Sequence, residues 1–333
     1  MSTFGLVVII VCIALVFDFV NGFHDAANSI ATVVSTRVLT PVQAVTLAAV
    51  FNFAAAYFLG TGVAKAIGNG FVNTSMVTPY VLLAAVIGAV AWNVLTWYFG
   101  LPISSSHSLI GGYAGAAVAH AGTKGLILGK WPATLAFIVV APVIGLVLGY
   151  ALMVAVYWIF RRFTPARMDR YFRHAQIVSA SLLSCAHGTN DAQKTMGIIT
   201  AVLVSGGFER DFHVPDWVIL ASAAAMGLGT LSGGWRVVRT VGTRLTRLKP
   251  RSGFCAEAGS AVSILFATWL GLPVSTTHVV AGAIAGVGSI QRVRAVRWNV
   301  AGDIVGAWIL TIPAAGLFAA VVFLLIRLVN PAA

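Results

Sequence analysis

Two acids and two hydroxyl-rich turns stand out in an otherwise apolar chain. Asp25 lies in Gly22-Phe-His-Asp-Ala-Ala-Asn28, and Asp191 lies in Gly188-Thr-Asn-Asp-Ala-Gln-Lys194. A charged side chain at the centre of a bilayer costs about 2.5–3.5 kcal/mol even on lenient insertion scales. Acids placed there bind cations or protons, or brace a polar network. Asn28 and Asn190 add amide oxygens, and oxygen donors suit hard cations. The second pair is Gly100-Leu-Pro-Ile-Ser-Ser-Ser-His107 and Gly271-Leu-Pro-Val-Ser-Thr-Thr-His278. Pro102 and Pro273 suit the first turn of a helix. Ser104, Ser105 and Ser106 then bring hydroxyls to the unpaired N–H groups of a helix start, as do Ser275, Thr276 and Thr277. The positive end of the helix makes this an oxyanion site that needs no Arg or Lys. One copy alone reads as capping at a turn, whereas two matched copies read as a pair of helix ends closing on a tetrahedral anion. His107 and His278 end the motifs and either orient the loops or touch substrate.

Several neighbours add to this chemistry. Lys194 stands where the first half has Asn28. Its ammonium can pair with Asp191 or Asp25 in place of a bound cation, or it can contact the anion. Gln193, Asp25 or Asp191 can accept a hydrogen bond from a protonated anion, which distinguishes phosphate from sulfate. Glu257 has no acidic counterpart in the first half and reads as a proton carrier or as the partner of a basic residue. Asp18 and Asp303 are weaker candidates. Asp18 precedes Asp25 by two turns, on nearly the same face of an unbroken helix. His24 and His187 flank the acids, so a metal site of His24, Asp25, His187 and Asp191 is conceivable. Cys12, Cys185 and Cys255 show no metal spacing and read as small packing residues.

The elements that position these residues must lie in a membrane. The 333 residues are 59% hydrophobic and 9% charged, with mean hydropathy +0.93. An ordinary soluble domain carries about 25% charged residues. Apolar runs fall at 3–34, 41–60, 79–99, 101–119, 133–160, 175–205, 217–235, 253–270, 272–290 and 298–328. An all-α polytopic protein with about ten membrane-embedded segments follows, because lipid tolerates no unpaired backbone. The runs 3–34 and 175–205 carry polar centres and are expected to break there. The runs 101–119 and 272–290 are short and are expected to be re-entrant. The first run leads straight into motif sequence and is kept as part of the fold rather than as a removable signal.

The repeated motifs divide the chain into a first repeat (1–160), a basic linker (161–174) and a second repeat (175–333). With five crossings per half and both termini outside, Arg37, Arg161, Arg162, Arg167, Arg170, Arg173, Arg236, Arg239, Arg244, Arg247, Lys249, Arg251, Arg292, Arg294 and Arg297 face the cytoplasm. An odd number of crossings inverts the second repeat, as in secondary transporters with a mid-membrane site. The net charge of +12 belongs to these loops and does not point to nucleic acid.

The four motifs, in this order, resemble those of the inorganic phosphate transporter (PiT) family, and the resemblance covers essentially the whole chain. It implies symport of inorganic phosphate with sodium or protons through the cell membrane, with a metal–phosphate complex as a further substrate for some bacterial members. It places phosphate on Ser104, Ser105, Ser106, Ser275, Thr276 and Thr277, and the cation on Asp25, Asn28, Asn190 and Asp191. Glu257 sits where the family usually has an acid. The Gln193-Lys194 departure from an asparagine-bearing pattern removes part of a sodium site. The resemblance also suggests a homodimer and no resident cofactor. The alternative is a sulfate or other oxyanion symporter of the same architecture. A passive channel fits the buried acids poorly, and the chain has no His-Glu-x-x-His zinc motif; no catalytic residue is expected.

Overall fold

The structure, a computed structural model, describes residues 2–58, 60–72, 76–290 and 293–331, so Arg292 lies outside the described residues. These form twelve α-helices and, among the described residues, no strand beyond one isolated bridge, Val72 to Leu126. The helices are α1 (Thr3–Ser35), α2 (Pro41–Phe58), α3 (Gly62–Gly70), α4 (Pro79–Phe99), α5 (Ser105–Ala121), α6 (Trp131–Ile159), α7 (Pro165–Ser205), α8 (Asp216–Ser232), α9 (Trp235–Arg239), α10 (Pro250–Trp269), α11 (Thr276–Ser289) and α12 (Trp298–Val329). By length and apolarity α1, α4, α6 and α12 can each cross a membrane, and α8 with the bent 235–244 segment makes a fifth candidate. The outer surface is apolar: Trp269, Leu328 and Val329 are 80%, 78% and 89% exposed. Such a surface suits lipid and not water. Cys12 is exposed on it, Cys185 is half-buried and Cys255 is buried.

The expected breaks in 3–34 and 175–205 do not occur; α1 and α7 run unbroken through their polar centres. On α1, Asp18, Asn21, Asp25, Asn28 and Thr32 recur every three or four residues and so share one face. All of them are buried within the protein, so the backbone ladder need not open to satisfy them. The glycines serve close packing instead. A Cβ at Gly22 would stand 2.3 Å from the Met226 carbonyl oxygen on α8, and one at Gly188 would stand 2.4 Å from the Asn52 carbonyl oxygen on α2. The break falls elsewhere, at Gly233-Gly234, where the chain bends by 59°.

The segment 161–174 is also not a free linker. Thr164 caps α7 by accepting from the Arg167 amide at 3.4 Å, and the helix begins at Pro165. Its 41 residues span about 60 Å, twice the roughly 30 Å of a hydrocarbon core. The first turns, with Arg167, Arg170 and Arg173 exposed, extend past the apolar zone.

Helices α5 and α11 have 17 and 14 residues, short of the roughly 20 that a span needs. Each folds back on the helix before it to form a hairpin. Gly100 (φ 67) and Gly271 (φ 69) make the two turns in a left-handed conformation that other residues resist. Helix contacts repeat with the halves exchanged: α5 packs on α12 and α11 on α6; α1 on α8 and α7 on α2; α4 on α12 and α10 on α6. The terminal helix of each half therefore covers the hairpin of the other. Small residues allow the approach. A Cβ at Gly115 would meet the Gly316 carbonyl oxygen at 2.0 Å, and one at Gly286 would meet that of Leu146 at 2.2 Å.

Candidate functional site

The two hairpins start their second helices in the same way. Ser104 accepts from the His107 amide at 3.2 Å, and Ser275 accepts from the His278 amide at 3.2 Å. These two hydroxyls are helix caps; of the other four, Ser105 and Thr276 reach the acids. The His107 and His278 rings meet edge to face at 5.0 Å, and His278 stacks on Trp308 at 3.9 Å. Trp308 donates to the Pro102 carbonyl at 2.9 Å, so α12 pins the first hairpin. The two histidine rings are thus in contact across the two hairpins.

Both acids lie at the helix starts, fully enclosed. Ser105 donates to Asp25 Oδ2 at 3.1 Å, and His24 Nδ1 lies 2.9 Å from Asp25 Oδ1. Thr276 donates to Asp191 Oδ2 at 3.2 Å. Lys194 Nζ donates to Asp191 Oδ1 and, at 3.4 Å, to the Val274 carbonyl, with acid and base both 0% exposed. His187 Nε2 is 3.1 Å from Asp191 Oδ2. The halves are cross-tied. Asn28 of α1 donates to Thr276 Oγ1 at 3.2 Å and to Thr277 Oγ1 at 2.9 Å, and Ser106 donates to the Val274 carbonyl at 3.4 Å. These cross-ties join residues 168 to 249 positions apart.

The conceivable four-residue metal constellation reduces to three. Asp25, His187 and Asp191 bring one donor atom each to within 4.8 Å of one another. His24 turns instead to Asp25 and, at 3.4 Å, to the Thr96 hydroxyl.

Three other candidates have partners of their own. Gln193 uses its side-chain oxygen to accept from the Val63 amide at 2.7 Å, which ties α3 to α7. Asn190 donates to Thr268 Oγ1 at 2.9 Å and to the Leu272 carbonyl at 3.4 Å, while its own oxygen has no partner. It thereby holds the second hairpin turn. Glu257 lies apart. It accepts from Gln176 at 2.8 Å and from the Ser179 hydroxyl, and Ser179 is about 18 Å along α7 from Asp191 at 1.5 Å per residue. Thr36 of α1 completes that cluster by donating to Gln176 at 2.9 Å. Asp303 is exposed on α12, whereas Asp18 is buried beside the core.

Sequence reasoning missed the residues that fix the histidines. Asn52 on α2 lies 3.3 Å from His187 Nδ1 and donates to Thr230 on α8 at 2.9 Å. The available signal was a single asparagine in an apolar run, since intramembrane polar residues are costly.

The profile of PHO4, described as the phosphate transporter family, matches residues 21–319. A Rhizobium meliloti protein described as a probable low-affinity inorganic phosphate transporter is 53% identical over 321 residues, covering 96% of each chain. A Bacillus subtilis protein of the same description is 43% identical over 332 residues, covering 97% of this chain and 98% of its own. A solved structure titled "The sodium-dependent phosphate transporter" aligns at TM-score 0.88 and 25% identity, over 98% of this chain and 100% of that one. The matched segment contains both acid motifs and both hairpin motifs, and the chain belongs to the phosphate transporter family.

Proposed function

We propose that this protein imports inorganic phosphate through the cell membrane by symport with protons or sodium. The observation that carries the reading is the direct hydrogen bonding of hairpin hydroxyls to paired buried acids, Ser105 to Asp25 and Thr276 to Asp191. Two helix N-termini lined with hydroxyls suit a tetrahedral anion. Two carboxylates beside them repel that anion until a cation or proton offsets their charge, and this links the two substrates. A protonated phosphate can donate to a carboxylate where sulfate cannot. The cycle starts with cation binding at Asp25, beside the Lys194–Asp191 pair, continues with closure of the hairpins on phosphate, and ends with exposure to the other side by movement of one repeat against the other. Without cargo the exchange is disfavoured, because Asp25 remains uncompensated.

Lys194 acts as a fixed cation at Asp191 and reduces the need for sodium there. A metal–phosphate complex is a second substrate form, supported by the Asp25–His187–Asp191 group; Lys194 competes with a divalent ion for Asp191. The repeats are inverted, with the basic loops cytoplasmic and both termini outside, as the distribution of Arg and Lys implies. A homodimer is part of the same proposal. Equilibrium binding of radiolabelled phosphate to purified protein tests the substrate. Arsenate, a protonated tetrahedral anion, should displace it and sulfate should not. Displacement by sulfate alone would move the assignment to the alternative oxyanion.

A further inference from the structure

The core holds one acid that the proposed cycle does not use. Asp18 is 0% exposed on α1, two turns before Asp25. Neither of its carboxylate oxygens has a hydrogen-bond partner. The same is true of both amide atoms of Asn21, one turn further along, and of the Thr195 hydroxyl on α7. Asn21 and Thr195 nevertheless lie beside the Asp18 carboxylate, and the charged groups in electrostatic reach are Asp191 and Lys194. Three neighbouring polar side chains are therefore gathered in a water-excluded interior with no charged partner in contact. Buried polar groups are ordinarily paired, and each exception calls for a cause.

Charge balance gives that cause. Asp191 is held by Lys194, with His187 and Thr276 beside it. Asp25 is held by His24 and Ser105. No base is in contact with Asp18, whose polar neighbours are the uncharged Thr195 and Asn21. When the halves are exchanged by aligning Asp25 with Asp191, Asp18 falls on Ser184, which satisfies itself on the Ala180 carbonyl at 2.8 Å. Asp18 and Lys194 are thus the two charges in the core that break the repeat, one in each half. Because Lys194 is spent on Asp191, the negative charge of Asp18 needs a mobile partner. A carboxylate, an amide carbonyl and a hydroxyl form an all-oxygen set suited to a hard cation.

We propose that Asp18, Asn21 and Thr195 form a second coupling-cation site, distinct from the Asp25–Asp191 pair, which takes a small monovalent cation, either a hydrated proton or sodium. The use of this site in coupling rests on the transport reading above, but cation binding there does not. The cation adds one positive charge beside the core before the anion enters. With Lys194 fixed at Asp191, one cation at Asp25 and one at Asp18 complete the compensation.

Two measurements test the proposal. In phosphate-free detergent, the purified protein is titrated with sodium against choline at constant pH, and with acid in the absence of sodium, while the melting temperature is followed. In proteoliposomes, the number of cations moved per phosphate is obtained from reversal potentials, a ratio that does not depend on how much protein is active. Asp18→Asn should lose one of the cation-dependent stabilising steps and move one cation fewer per phosphate. Thr195→Val, which keeps the side-chain shape, should weaken apparent cation affinity about tenfold, and Asp18→Glu should restore the step. Loss of the acid step in sodium-free medium assigns the proton, and loss of the sodium step alone assigns sodium. An unchanged ratio in Asp18→Asn would overturn the site. If that variant does not fold, unchanged cation affinity in Thr195→Val overturns it instead. Failure of the phosphate reading would show as wild-type vesicles that carry no phosphate, while the titration in detergent would still report on Asp18.

Discussion

Replacing Lys194 by asparagine removes the fixed ammonium from the second acid motif and gives that motif the residue found at Asn28. The ammonium and its partner Asp191 are both 0% exposed. Breaking a buried pair by removing one member costs about 3–5 kcal/mol, because the other charge stays buried. His187 at 3.1 Å and the Thr276 hydroxyl at 3.2 Å remain beside Asp191, which favours the lower end. A loss of about 3 kcal/mol lowers the melting temperature by on the order of 5–10 °C in a protein of this size. The new amide and the bare carboxylate should then bind sodium. At a hundred times its dissociation constant, sodium restores about 2.7 kcal/mol. The assay is the melting temperature of purified Lys194→Asn in choline and in sodium, followed by phosphate uptake under a sodium gradient. The variant should melt early in choline, recover in sodium and gain sodium-driven uptake. Unchanged melting and unchanged ion dependence would refute the role given to Lys194.

Other expectations follow from the same contacts. Ser104→Ala removes a cap at a cost of about 1 kcal/mol and should lower the melting temperature more than it weakens phosphate binding, whereas Ser105→Ala should do the reverse. Paired melting and binding curves separate the two. Asp25→Asn should block net uptake more severely than Ser104→Ala in the same vesicles. Gly115→Leu forces a side chain against the Gly316 carbonyl and should abolish the monodisperse peak in size-exclusion chromatography. Gly302→Ala, with nothing within 4 Å of the added carbon, should leave that peak intact. Glu257→Gln, on α10 against Ser179, which is about 18 Å along α7 from Asp191, should leave equilibrium phosphate binding unchanged even if turnover falls.

The sequence exposed what repeats and what is chemically unusual. The helical class, the two hairpins and the paired acids were legible because Pro, Ser and Asp are conspicuous in apolar surroundings and because each motif occurs twice. The continuity of α1 and α7 was not legible. Gly22 and Gly188 look like breaks in one dimension and serve as contact points in three. Ser104 and Ser275 could not be told from the hydroxyls beside them until the His107 and His278 amides were seen to take them as caps. The separation of Glu257 from the core was hidden as well, since its partners Gln176 and Ser179 lie on a helix whose first turns resembled a linker. The setting of Asp18 depended on which side chains leave it unpaired, and composition carries no such information.

The central claim is that phosphate moves with a cation through the Asp25–Asp191 core. Uptake of radiolabelled phosphate into proteoliposomes tests it most directly, with proton and sodium gradients imposed separately. The account predicts accumulation driven by the proton gradient in sodium-free medium, because Lys194 already occupies one cation position. Phosphate that equilibrates without accumulating under either gradient would contradict it, since the buried acids would then have no coupling role.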